Sequence, residues 1–146
     1  MINVQTMADE LYDCAGIKDI SRYLHEIRLK SWGWLKGAFV RESILPTDID
    51  GLVEVNGKFL LFENKYVGAT MSNGQRQTLE KLVLNADFVV VRIDWDGAGR
   101  VVRFERWVKI MPVGTIDIKN HENATENDIR ELCLAWSKWA QSNPRN

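Results

Sequence analysis

Asp48, Asp50, Glu63 and Lys65 are the side chains of this 146-residue chain whose types and spacing could do chemistry together. They flank Asn56-Gly57, the strongest short-range signal for a two-residue type I′ turn, because both residues tolerate positive φ. With that dipeptide as the loop, Val55 pairs with Lys58, Asp50 falls opposite Glu63, and Asp48 falls opposite Lys65. Side chains alternate along a strand, so all four project from one face. Like charges directly opposite destabilise a strand pair by on the order of 0.2–1 kcal/mol, and burial adds to that by stripping hydration. A bound divalent cation removes the repulsion. Mg²⁺ is the expected ion, with Mn²⁺ able to substitute: it takes oxygen ligands, one or two of them carboxylates, and completes its shell with water and substrate phosphate.

Asp50, twelve intervening residues and then Glu63-x-Lys65, preceded by Pro46-Thr47-Asp48-Ile49, resembles the active-site signature of the PD-(D/E)XK nuclease superfamily. The resemblance covers roughly residues 20–95. It implies an αβββαβ core of the kind found in restriction endonucleases and Holliday-junction resolvases. It also implies a metal on Asp50, Glu63 and the main-chain carbonyl of Asn64, with Lys65 orienting the attacking water. The activity implied is Mg²⁺-dependent hydrolysis of phosphodiester bonds in nucleic acid, with DNA the first candidate. Asp48 and Asp50 compete for the first metal position. Asp50 is preferred because it faces Glu63 directly and precedes Gly51, where a ligand or neighbouring backbone can approach closely. Asp48 then lies at the rim, on the substrate side near Lys65. Gln75 matches a glutamine that several superfamily branches carry near the metal or the scissile phosphate, and Arg76 beside it is a candidate phosphate contact. Both stand in the first turn of the next helix, where free N–H groups attract phosphate. Glu10 or Glu26 is the candidate for an additional helix-borne acid, although Glu26 lies four residues from both Arg22 and Lys30 and surface ion pairing is the better explanation of it, without a metal. The alternative is a non-catalytic protein of the same fold that acts by protein or nucleic-acid contacts. The complete Asp, Glu and Lys set argues against it.

The elements that must position these residues are legible as an α/β (α+β) pattern. Residues 7–15 and 18–31 read as helices, the second with Ile20, Leu24 and Ile27 on one stripe. Residues 37–41 read as a short first strand, and 47–55 and 58–66 as the hairpin. Val53 pairs with Leu60 on the face away from the acids, and Phe62 covers Gly51. Leu52 and Leu61 share the acidic face, so apolar residues on both faces predict a sheet covered on both sides. A helix is expected over 74–85 with Leu79, Leu82 and Val83 inward, then a buried strand at 88–93 and a half-exposed strand at 101–108. Residues 112–124 read as loop. Thr125 and Asp128 form a capping-box pattern that opens a final helix to about 141, with Ile129, Leu132, Cys133, Trp136 and Ala140 apolar. The expectation is one domain over 1–146, a central mixed four- to five-stranded sheet flanked by helices.

Composition narrows the function classes. Apolar content of 45% and charged content of 27% are ordinary for a globular protein, and no apolar run approaches the roughly 18 residues of a membrane span. No signal-peptide pattern opens the chain. Cys14 and Cys133 fit no metal spacing and read as reduced thiols, and His25 and His121 are too scattered for a zinc site. A cytoplasmic protein with no membrane partner is expected. Net charge is −1, yet residues 17–41 carry a local excess of +4, enough for a modest phosphate-facing surface beside a metal-loaded acidic site. Trp32 and Trp34 are the tryptophan pair to consider for base stacking, with packing the better explanation. Two-strand cleavage by a lone domain of this size would call for a homodimer.

Overall fold

In a computed structural model, the residues that can be described are 37–41, 46, 49–86 and 88–144. The expected helices at 7–15 and 18–31 lie outside them, as do Glu10, Cys14, His25, Glu26, Trp32, Trp34 and Asp48. The chain divides into two compact units, Met1–Pro46 and Thr47–Asn146. In the first, residues 37–41 form an exposed turn and bends rather than a strand. Gly37 has φ +80°, and Val40 is 96% exposed, so the apolar residues that suggested a strand there do not pack.

The second unit carries the order β1 (Gly51–Val55), β2 (Lys58–Tyr66), α1 (Asn73–Asn85), β3 (Phe88–Trp95), β4 (Val101–Ile110), β5 (Thr115–Glu122) and α2 (Glu126–Ser142). The strands form one five-stranded mixed sheet in sequence order, an α+β fold. β1 and β2 are antiparallel, β2 and β3 parallel with α1 between them, and β3, β4 and β5 antiparallel. Among the described residues no helix is long and apolar enough to cross a membrane.

Turn chemistry sets the hairpin. Asn56 and Gly57 take φ of +52° and +77°, as a type I′ turn requires, and the register runs Val55–Lys58 through Gly51–Phe62. A Cβ on Gly51 would lie 3.2 Å from Phe62 Cδ2, so the ring covers the bare backbone. Strand β1 starts at Gly51 rather than at 47. A continued ladder would give the Asn64 N–H to the carbonyl of Ile49, but that N–H donates to Asp50 Oδ2 at 2.7 Å instead.

The alternating sheet separates two cores. On one face α2 brings Trp136 and Ala140 onto Leu60, Val91, Ile93 and Phe104, with Ile129, Leu132 and Cys133 at the margin. On the other, α1 brings Leu79 and Val83 onto Leu61, Val90 and Trp107. Both helices are capped as their sequences direct. The Gln75 N–H donates to Ser72 Oγ at the start of α1, and Thr125 and Asp128 complete a capping box on α2. Burial pushes the Cys133 thiol up, consistent with a packing role.

Strand β5 replaces the loop expected at 112–124. Its apolar alternation is only Ile116 and Ile118, followed by Lys119, Asn120, His121 and Glu122. The strand is an exposed sheet edge, made by pairing with β4 from Ile110–Thr115 to Arg103–Glu122. Such an edge has little local signature, and its charges are typical of one protected against further pairing.

Candidate active site

Glu63 stands at the centre. It lies on β2, two residues beyond Leu61 on the α1 face, where the apolar half of the sheet gives way to charge. The residue is only 3% exposed, and a buried carboxylate needs partners. Two converge on one oxygen: Lys65 Nζ lies 2.8 Å from Oε1, and Gln75 Nε2 donates to the same atom at 2.6 Å. Lys65 reaches it as the next side chain on that face of β2. Gln75 reaches it because the Ser72 cap starts α1 over the end of the sheet.

Asp50 lies one step beyond the last ladder pair, Gly51–Phe62. Its Oδ2 accepts from the Asn64 N–H, and Oδ1 bonds to none of the described residues. Asp50 therefore stands at the end of the hairpin that also carries Glu63, Lys65 and Gln75, held there by its side-chain bond to Asn64 rather than by the ladder. The Asn64 side chain points to the opposite face, where Trp95 Nε1 donates to its Oδ1 at 2.9 Å. Arg76 turns along its own helix: Nε lies 2.9 Å from Glu80 Oε1, and the guanidinium sits 5.5 Å from the Trp107 ring centroid. Those contacts hold it away from Glu63. Asp48 lies outside the described residues.

The sheet registers extend this cluster into two transverse rows. Glu63 aligns with Arg92, Glu105 and Asn120, and Lys65 aligns with Asp94, Arg103 and Glu122. Motif-centred reading missed these residues. The available signal was Arg92 and Asp94 two apart inside the apolar run Phe88–Trp95, where charges must find partners. Asp94 is 2% exposed. Its Oδ1 accepts from Arg92 Nε at 2.9 Å and its Oδ2 from Arg103 Nη1 at 2.7 Å. Arg103 also donates to Glu105 Oε1 and Glu122 Oε1. Burial alone would push its guanidinium down, but the three carboxylates outweigh it and raise it. Arg92 Nη2 donates to the Ala69 carbonyl at 2.6 Å, pinning the connection that leads from Lys65 to α1.

Sign alternates along the second row: Lys65, Asp94, Arg103, Glu122. In the first it alternates from Glu63 through Arg92 to Glu105 and ends at the neutral Asn120.

No group of three or more His, Cys, Asp or Glu side chains suited to a metal occurs among the described residues. The donor set still fits Mg²⁺, which uses one or two carboxylates and fills its shell with water and phosphate. Asp50 and Glu63 would supply those two, and the Asn64 carbonyl would be the third protein oxygen nearby in sequence. Comparison with family models, curated proteins and solved structures finds no match for this chain.

Proposed function

We propose that this protein is a Mg²⁺-dependent phosphodiesterase that hydrolyses nucleic acid, DNA first, in the manner of the PD-(D/E)XK nucleases its sequence resembles. The observation that carries the reading is the grouping of Asp50, Glu63, Lys65 and Gln75 at one end of the hairpin. Glu63 is buried with Lys65 and Gln75 on one oxygen, and Asp50 is held on the N–H of the next residue, Asn64.

In this reading Asp50, Glu63 and the Asn64 carbonyl hold the ion. When bound, Mg²⁺ supplies charge to polarise the scissile phosphate and makes a water more acidic. Lys65 has three ammonium donors. One is on Glu63, leaving others to orient the water and offset charge gathering on the phosphate oxygens. Gln75 fixes the Glu63 carboxylate, so its geometry does not depend on the ion alone. A reducing, cytoplasmic setting belongs to the same reading; among the described residues Cys133 is a free thiol.

The second reading is a non-catalytic binding protein, favoured by one observation: Glu63 Oε1 is already satisfied by two donors. Cleavage of a mixed panel (plasmid, linear duplex, single strand, branched DNA and RNA) with Mg²⁺ or Mn²⁺ separates the two. Wild-type protein is expected to cut at least one member, and Glu63→Gln, which keeps the side-chain shape, to cut none. Absence of both cleavage and calorimetric metal binding by a folded wild type would remove the nuclease reading.

A further inference from the structure

The sheet face away from Glu63 carries a cavity of about 1030 Å³ between α2 and the strands. Val89, Phe104 and Val108 from the sheet and Leu132 and Trp136 from α2 give it apolar walls. Small-molecule sites run from about 300 to 1000 Å³, mostly apolar with a few placed polar groups, so there is room for a whole organic molecule. Two polar groups stand in these walls. Arg106 alternates along β4 with Trp107, which packs under α1, and lies two residues from Phe104, which packs under α2. Its side chain therefore belongs to the cavity's face. Trp136 is only 8% exposed. Arg106 Nε and Trp136 Nε1 are both buried and bond to nothing among the described residues. Leaving a buried donor unmet is costly, and native proteins seldom do so without a reason. Two such donors on residues that line one cavity point to a guest that meets them.

The chemistry of the two groups defines that guest. A guanidinium and an indole donate and cannot accept, so the guest presents acceptors. Arg106 also carries a charge that no described carboxylate pairs with: it enters none of the ion pairs of the described residues. It stands opposite Lys119 across β4 and β5, and like charges directly opposite destabilise a strand pair. The acids at the cavity margin are engaged elsewhere. Asp128 closes the α2 capping box, Glu122 accepts from Arg103, and Glu131 accepts from Asn127. We propose that the cavity binds an organic carboxylate with an apolar body, its head on Arg106 and the Trp136 N–H and its body along Phe104, Val108 and Leu132. One guanidinium balances one negative charge, and its parallel N–H groups match the two oxygens of a carboxylate. The site lies on the opposite face of the sheet from Glu63 and does not depend on the nuclease reading.

The test is calorimetric titration of the full chain with decanoate, decanol and inorganic phosphate. Decanoate is expected to bind about tenfold more tightly than decanol, and phosphate not to bind. Arg106→Met keeps the apolar stem and removes the charge and its donors. It should weaken decanoate about tenfold and leave decanol unchanged. Trp136→Phe, which keeps a ring without the N–H, should weaken decanoate about fivefold. Without ligand, Arg106→Met should melt at or above the wild-type temperature, because the buried Nε meets no acceptor that the variant could lose. Decanoate should then raise the melting temperature of wild type more than that of the variant. Absence of decanoate binding by folded wild type would overturn the proposal. So would equal decanoate affinity in Arg106→Met, or decanol binding as tight as decanoate, which would make the cavity a plain apolar void. Binding of phosphate alone would make it an inorganic anion site with no use for the apolar walls. A ligand-free Arg106→Met that melts well below wild type would assign the guanidinium to the fold instead of to a guest.

Discussion

At the scale of single residues, Gln75 and Lys65 make different demands on Glu63. Lys65 supplies the opposite charge a buried carboxylate needs, whereas Gln75 supplies direction, since a neutral amide adds little to the charge balance. Lys65→Ala is therefore expected to abolish cleavage while metal binding, followed by calorimetry, persists through Asp50 and Glu63. Loss of metal binding in a folded Lys65→Ala protein would remove its role with the water. Gln75→Ala is expected to lower kcat about 10- to 100-fold, the usual effect of removing a group that orients a metal-binding side chain. It should cost only about 1 kcal/mol of stability, the net worth of one hydrogen bond. An unchanged kcat in that variant would reduce Gln75 to a structural contact. Asp50, Glu63, Lys65 and Gln75 were legible because a turn dipeptide and a helix start fix their positions locally. Arg92, Asp94 and Arg103 were not, because their meeting depends on the parallel β2–β3 register and on β4, neither of which a local motif encodes.

At the scale of elements, the same division separates what the chain declares from what it acquires. The hairpin, α1 and α2 are declared by Asn56-Gly57, Ser72 and Thr125, residues that satisfy or bend the backbone within a few positions of themselves. β5 is acquired: with Ile116 half-buried and Ile118 exposed it has no pattern of its own, and the open edge of β4 makes it a strand. The cap of α2 offers a direct test. Thr125→Ala removes the oxygen that accepts the Asp128 N–H and is expected to cost about 1 kcal/mol. The Thr125 N–H, then its hydroxyl, hold the Asp128 carboxyl below its usual value of 3.8. Folding thus favours the ionised form, so the stabilisation is present above pH 3.8 and disappears as pH falls through the lower folded value. Thermal melts of wild type and Asp128→Asn should differ above that pH and converge below it. A difference that persisted into stronger acid would place the effect elsewhere than in the carboxylate.

Across the whole unit, the α1 face is half oil and half charge, and the boundary between the halves is where the candidate site lies. Leu61, Val90 and Trp107 anchor the apolar half under α1. The charged half spans β2 to β5 and cannot be buried unless its signs cancel, which fixes how much any one member can change. Asp94 is its keystone, with Arg92 on one oxygen, Arg103 on the other, and both arginines bonded onward to Ala69 and to Glu105 and Glu122. Replacing it with alanine leaves two largely buried guanidinium groups short of a partner, a defect that typically costs about 3 kcal/mol or more. The Arg92–Ala69 bond would be loosened at the same time, so the connection carrying Gln75 should move and cleavage should fall along with stability. Because Asp94 and Arg103 act within one network, Asp94→Ala and Arg103→Ala should be strongly non-additive in urea denaturation, the double variant losing clearly less than the two single losses together. Additive losses would mean that the row is a set of independent pairs. The candidate site would then owe its geometry to the hairpin and the α1 cap alone.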